Sequence, residues 1–269
     1  MTVVAIWSAR GSPGATTTAL ALAAAWPPGR NVVVVEADAA GGELVCHMGL
    51  WADPSLVTLA AQSRSSVTTE GLWAHAQPLG DTGVRAVAAP PDPRRASAAL
   101  SSLAQASLVH PDTSTGDLDV VIDLGRLDPA GPAASVAANA QWSLVVARPN
   151  LVEAAHVRER VGTLGREVGL VATGTGPWSA DELAESLDLR LVAALPSDPR
   201  AARALVGGRS GRGLARTALV RSAQGLAAEL VAASPSPATP TSSGPCGPAP
   251  NDARPSVAQW VPTGDRAWH

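Results

Sequence analysis

Apolar positions along this chain gather in short unbroken runs, and Ala/Leu-rich segments of helical character lie between them. Val3–Ser8 is the first run, and it ends in the turn Arg10-Gly11-Ser12-Pro13-Gly14. A helix is predicted over Thr16–Trp26, stopped by Pro27-Pro28-Gly29. Val32–Val35 is four consecutive β-branched residues, the mark of a strand covered on both faces. A strand–helix–strand opening of this kind predicts a parallel sheet with right-handed crossovers.

The alternation continues through the chain. Helices are predicted at Gly42–Leu50, Leu56–Ser63 and Thr69–Gln77, then a strand at Val84–Ala88 with Pro90, Pro91 and Pro93 breaking the chain after it. A helix over Arg95–Leu108 leads to the strand Asp119–Asp123, followed by a helix at Ala133–Asn139 and a strand at Ser143–Ala147. Further along come a helix over Leu151–Glu167, the strand Leu170–Thr173, a helix over Ser179–Leu187 and the strand Leu189–Ala194. Helices at Pro199–Leu205 and Thr217–Ala232 close the pattern. The expected fold class is α/β: about seven or eight strands in a mostly parallel twisted sheet, with helices on both faces.

From Ala233 the chain turns to Ser, Pro, Thr and Gly, a composition that cannot bury a core. Two units are therefore expected, a domain over residues 1–232 and a flexible, disordered tail over 233–269 that carries Trp260 and Trp268. The tail tryptophans suit either a tethered docking peptide or a plain disordered end.

Composition sharpens this picture. The chain has 269 residues, of which 46% are hydrophobic, ample for one large core that must be aliphatic because Phe and Tyr are absent. All 20 basic residues are arginine, so no lysine stands anywhere. The net charge of −3 argues against a general nucleic-acid coat protein. Cys46 and Cys246 lie far apart and form neither a disulfide framework nor a metal site. The five histidines are scattered without ligand spacing, and neither G-x-S-x-G nor G-x-G-x-x-G is present. The N-terminus has no signal-peptide pattern and no segment spans a membrane, so a cytoplasmic protein is expected.

The chemistry centres on the turn after the first strand. Glycines between a buried strand and a helix N-terminus let main-chain N–H groups converge on an anion, and the helix end adds partial positive charge. Arg10-Gly11-Ser12-Pro13-Gly14-Ala15-Thr16-Thr17 resembles the deviant Walker A motif of the ParA/MinD family, K-G-G-x-G-K-T-T. That resemblance implies a P-loop NTPase-like fold and makes Gly11, Ser12, Pro13, Gly14, Ala15, Thr16 and Thr17 the nucleotide-binding segment. It sets Arg10 at the family's signature lysine, which reaches a partner's nucleotide across a dimer, and Ala15 at the Walker lysine. Alanine offers neither charge nor donor. One missing charge-assisted hydrogen bond is worth about 1.5–3 kcal/mol, or roughly ten- to a hundredfold in affinity. Hydrolysis suffers further, because charge grows on the transferring group.

Other segments follow the same resemblance. Glu36-Ala37-Asp38-Ala39-Ala40-Gly41 is similar to the family's D-x-D-x-x-G switch, with Asp38 near the metal and attacking water; helix capping is the alternative for Asp38. Leu118–Gly125 resembles Walker B, so that Asp123, through water, and Thr16 would hold Mg²⁺. Leu195-Pro196-Ser197-Asp198-Pro199 is similar to the loop that lies against adenine, although ordinary turn chemistry also accounts for Pro196, Ser197 and Asp198. Gly174-Thr175-Gly176 stands where many relatives carry a base-reading Asn. Arg200, Arg203, Arg209, Arg212, Arg216 and Arg221 form a basic stretch that suits either non-specific DNA contact or a solvated face.

These readings lead to a nucleotide-binding positioning or scaffold factor of partition or pilus-locus type. It would be homodimeric, use ATP or ADP with Mg, engage a protein partner and hydrolyse little or no ATP. A slow ATPase using Arg10 in trans and Asp38 is the first alternative. A DNA-binding accessory that needs no nucleotide is the second.

Overall fold

The computed structural model describes residues 1–11, 13–63, 66–110, 118–209 and 213–234. Ser12, Arg212 and the chain from residue 235 on, with Cys246, Trp260 and Trp268, lie outside the described residues. The strands are β1 (Val3–Ser8), β2 (Val32–Glu36), β3 (Gln77–Pro78), β4 (Arg85–Val87), β5 (Asp119–Arg126), β6 (Trp142–Ala147), β7 (Gly169–Thr173) and β8 (Arg190–Leu195). The helices are α1 (Ala15–Ala24), α2 (Leu44–Met48), α3 (Leu56–Gln62), α4 (Thr69–His75), α5 (Pro93–Gln105), α6 (Pro132–Asn139), α7 (Leu151–Leu164), α8 (Ala180–Leu187), α9 (Pro199–Val206) and α10 (Ala218–Ala232). A 3₁₀ turn at Leu214–Arg216 precedes α10.

One sheet holds all the described strands in the order β3-β4-β2-β5-β1-β6-β7-β8. Every pairing is parallel except β3 with β4. Period-two geometry splits each central strand between two cores. Val3, Ala5 and Trp7 of β1 join Val33, Val35, Val120 and Ile122 on one face, under α3 to α8. Val4 and Ile6 join Val34 and Val121 on the other, under α1, α9 and α10. Each fully buried Leu or Ile contributes about 2 kcal/mol, which explains how a mostly aliphatic core holds the fold together. Trp7 is wholly buried, and its indole N–H donates to Ser143 Oγ at 3.0 Å.

Asp119 ties the lower end of β5. Its carboxylate accepts from the Thr2 N–H at 2.7 Å, the Trp26 indole at 2.8 Å, and Arg30 Nε and Nη2 at 2.6 Å each. A bidentate arginine with two further donors satisfies a buried carboxylate.

Three sequence expectations need correction. Pro93 starts a helix instead of breaking the chain, because Asp92 accepts from the Arg94 N–H at 2.8 Å and proline's fixed φ suits the first turn. The helix expected over Gly42–Leu50 shrinks to α2, since the Glu36 carboxylate takes up the Glu43 and Leu44 N–H groups at 2.7 and 3.0 Å. Gln77, expected to end a helix, lies in β3. Its side-chain amide accepts from the Trp51 N–H at 3.0 Å and donates to the Trp51 and Pro54 carbonyls, which holds that residue extended at the sheet edge.

Candidate functional site

The strand order reverses at β1, and the turn leaving it opens where α/β folds concentrate chemistry. Gly14 caps α1 in the left-handed region at φ 104°, with no side chain bonded to the helix end and no acid in the first turn. The Thr18 N–H continues into the helix by donating to the Gly14 carbonyl at 2.8 Å. A second element fixes the turn from outside: the Thr173 hydroxyl, at the tip of β7, donates to the Pro13 carbonyl at 2.8 Å.

Two cavities meet on this turn. One of about 410 Å³ is lined by Gly11, Pro13 and Ala15–Thr17 together with Glu36, Asp38, Asp123 and Arg126. The other, about 240 Å³, is lined by Thr18, Arg148, Thr173, Gly174 and Pro196–Pro199. Pro13, Gly14 and Thr17 belong to both walls. Of the described residues assigned to a nucleotide or metal site from the sequence, all except Arg10 line one or other of these cavities. Pro196, Ser197 and Asp198 line the second cavity, and Asp198 also caps α9 by accepting from the Ala201 N–H at 2.9 Å. Gly14 and Gly174 both have positive φ, at 104° and 67°.

The larger cavity, the cleft, carries four acids, Glu36, Asp38, Glu43 and Asp123. Parallel register sets Glu36 directly beside Asp123 at the ends of β2 and β5. Asp123 is fully buried, and burial pushes its carboxyl up to about 7 against hydrogen bonds from the Thr16 hydroxyl and the Gly125 N–H. Burial likewise raises Glu36 and Asp38 above the ordinary carboxylate range. Asp38 accepts from the Ala40 N–H at 2.8 Å and from the Arg126 N–H, so it shapes the turn rather than capping a helix.

Glu36 has a role that no sequence pattern announced. Besides the two amides of α2, it accepts from the Ala89 N–H at 2.9 Å and so pins the segment after Asp38 to the end of β4. Gly42 must approach closely here, since a Cβ would stand 2.5 Å from the Ala89 carbonyl oxygen.

The residues present suit a hard divalent cation. Asp123 and the Thr16 hydroxyl already contact each other, and a buried carboxyl held near neutral gains from a cation beside it. Among the described residues no group of three or more His, Cys, Asp or Glu is placed to hold a metal ion.

Arg10 points elsewhere. It is exposed and lines a polar hollow of about 430 Å³ with Arg126, Asp128, His156 and Arg160. Beside it lies Glu153, 8% exposed, whose carboxyl is raised by burial and lowered by Arg10, Arg148 and His156. Arg200, Arg203, Arg209, Arg216 and Arg221 are all exposed, on α9, the following turn and α10. No described helix is long and apolar enough to cross a membrane.

The sequence matches no family model and no curated protein. Solved structures match its fold over nearly their whole length. The cell-division ATPase MinD of Pyrococcus furiosus is 19% identical with a TM-score of 0.66, covering 87% of this chain and 99% of that one. A ParA family ATPase from Chlorobium tepidum is 15% identical with a TM-score of 0.65, covering 84% and 98%. MinD of Pyrococcus horikoshii complexed with Mg-ADP is 19% identical with a TM-score of 0.63, covering 86% and 97%. The chain carries the ParA/MinD fold.

Proposed function

We propose that this chain is a nucleotide-binding positioning or scaffold factor that holds ATP or ADP with Mg²⁺ and hydrolyses ATP little or not at all. The observation that carries the reading is the shared wall of Pro13, Gly14 and Thr17 between a cleft sized for phosphates and a hollow sized for a base. A nucleotide is the ligand class with an apolar ring at one end and a chain of anions at the other. Mg-ADP bound to the horikoshii relative supports the assignment by analogy of fold.

Each residue then has a task. Main-chain N–H groups of Gly14 to Thr17 face the phosphates, and the uncapped end of α1 adds partial positive charge. Thr16 and Asp123 hold the cation, which when bound neutralises phosphate charge. Pro196, Ser197 and Asp198 flank the base. Ala15 leaves the loop without its cation, so the phosphoryl group loses stabilisation where negative charge would grow. Arg10 faces outward, as a residue acting across a homodimer must. A bound nucleotide would stabilise the surface presented to a second copy and to a protein partner in the cytoplasm.

The test is thermal. Mg-ATP in large excess over its Kd should raise the unfolding temperature by several degrees with no phosphate released. An unchanged midpoint at millimolar Mg-ATP overturns the reading. Phosphate release that vanishes in Arg10→Ala and Asp38→Ala would replace it with that of a slow ATPase.

A further inference from the structure

We propose that Arg126 supplies, from the tip of β5, the phosphate-neutralising charge that the loop itself lacks at Ala15. The inference rests on reading the cleft as a phosphate site, and it names the residue that makes such a site workable.

The charge balance of the cleft poses the problem. Its walls carry Glu36, Asp38, Glu43 and Asp123, four carboxyls, against His47 and a single arginine, Arg126. Without a cation facing it, a chain of phosphates would enter a field of its own sign. At position 15 only a methyl group reaches this space, on a residue 6% exposed.

The backbone aims residue 126 at the gap. β5 and β1 run in register until Ile6 opposite Asp123, then the register shifts so that Ser8 lies opposite Arg126. Ser8 stands just ahead of the loop. The Leu127 N–H donates to the Ser8 carbonyl at 2.9 Å, and the Ser8 hydroxyl donates to the Gly125 carbonyl at 3.1 Å. The Arg126 N–H is held by the Asp38 carboxylate. Three bonds thus lock the main chain on either side of Arg126 to the strand that launches the loop and to the acid across the cleft.

The side chain remains available. Arg126 is exposed, and its guanidinium forms no ion pair with any described residue, although Asp38 lies close enough to feel its charge. It lines the cleft beside Ala15 and Thr16 and also the hollow beside Arg10, His156 and Arg160, so it stands on the ridge between them. A guanidinium offers a planar fork of donors that fits phosphate oxygens in pairs, and it stays charged at any working pH.

The test is a double-mutant cycle on Mg-ATP affinity, using the full-length chain, Arg126→Gln, Ala15→Lys and the double variant. Arg126→Gln should weaken binding roughly ten- to a hundredfold in the parent, and less than about threefold in the Ala15→Lys background. Arg126→Lys should retain most of the affinity, and the unfolding temperature without nucleotide should not move, because the side chain is exposed. Parent-like affinity in Arg126→Gln overturns the proposal, and so does an equal loss in both backgrounds. If binding is seen only in the two proteins that carry the Ala15→Lys change, the cleft is a phosphate site but Arg126 does not serve it. If none of the four binds, the nucleotide reading itself fails.

Discussion

Asp38 occupies the space that any side chain on residue 125 would need: a Cβ built on Gly125 overlaps the Asp38 carboxylate and stands 2.8 Å from the Asp38 Cβ. Gly125 also sits at φ +57°, in the left-handed region. Gly125→Ala should therefore destabilise the fold by about 2–4 kcal/mol through strain and overlap together. Urea unfolding measures it. Asp38→Ala in the same chain should recover part of the loss, because the overlapping group is gone; strictly additive effects would contradict the contact.

Stability should fall as pH rises through the neutral range. Asp123 in the folded chain holds its proton to about pH 7, whereas unfolded it would release it near the ordinary carboxylate value of 3.8. Between those values the native state binds more protons, so ΔG of unfolding decreases with pH. Glu36 and Asp38 are raised too and act in the same direction. The unfolding temperature of the nucleotide-free chain should drop by several degrees between about pH 5 and about pH 8. Asp123→Asn should flatten that slope. Mg²⁺ affinity should run the opposite way, rising with pH as the carboxyl ionises.

Thr173→Val separates loop geometry from fold stability. The valine keeps the volume but loses the donor to the Pro13 carbonyl. Unfolding should shift by only about 1 kcal/mol, while Mg-ATP affinity falls several-fold as the turn loosens. Equal affinity for both proteins in calorimetry would show that the turn holds without this bond.

Asp119 makes the opposite case. Asp119→Ala removes acceptors for Thr2, Trp26 and Arg30 and should destabilise the chain by about 3 kcal/mol. Nucleotide affinity, measured well below the unfolding transition, should stay unchanged because the residue lies at the far end of its strand from the cleft.

What could be read in advance followed from local rules. The β-branched run at Val32–Val35, the glycine turn after Val3–Ser8 and the apolar run ending in Asp123 each announce themselves by pattern, and the ParA/MinD fold follows from their order. What escaped depends on contacts between distant residues. Glu36 stands in a motif already noted, but its three amide partners become visible only once β2, α2 and β4 are assembled. Gln77 breaks a helical pattern through its side-chain amide, which periodicity cannot register. Arg126 has no spacing rule to mark it, because its place beside Ala15 comes from the register shift between β1 and β5.

That one strand divides its labour between its ends. The lower end of β5 is a knot of four donors on Asp119, whereas the upper end carries Asp123, Gly125 and Arg126. Changes at the upper tip can alter what is bound, or how fast it reacts, while the anchorage below keeps the sheet whole. On the proposed reading, the loop on the neighbouring strand can do without a cation of its own and the protein still folds, which leaves the arrangement of charge at the tip free to change.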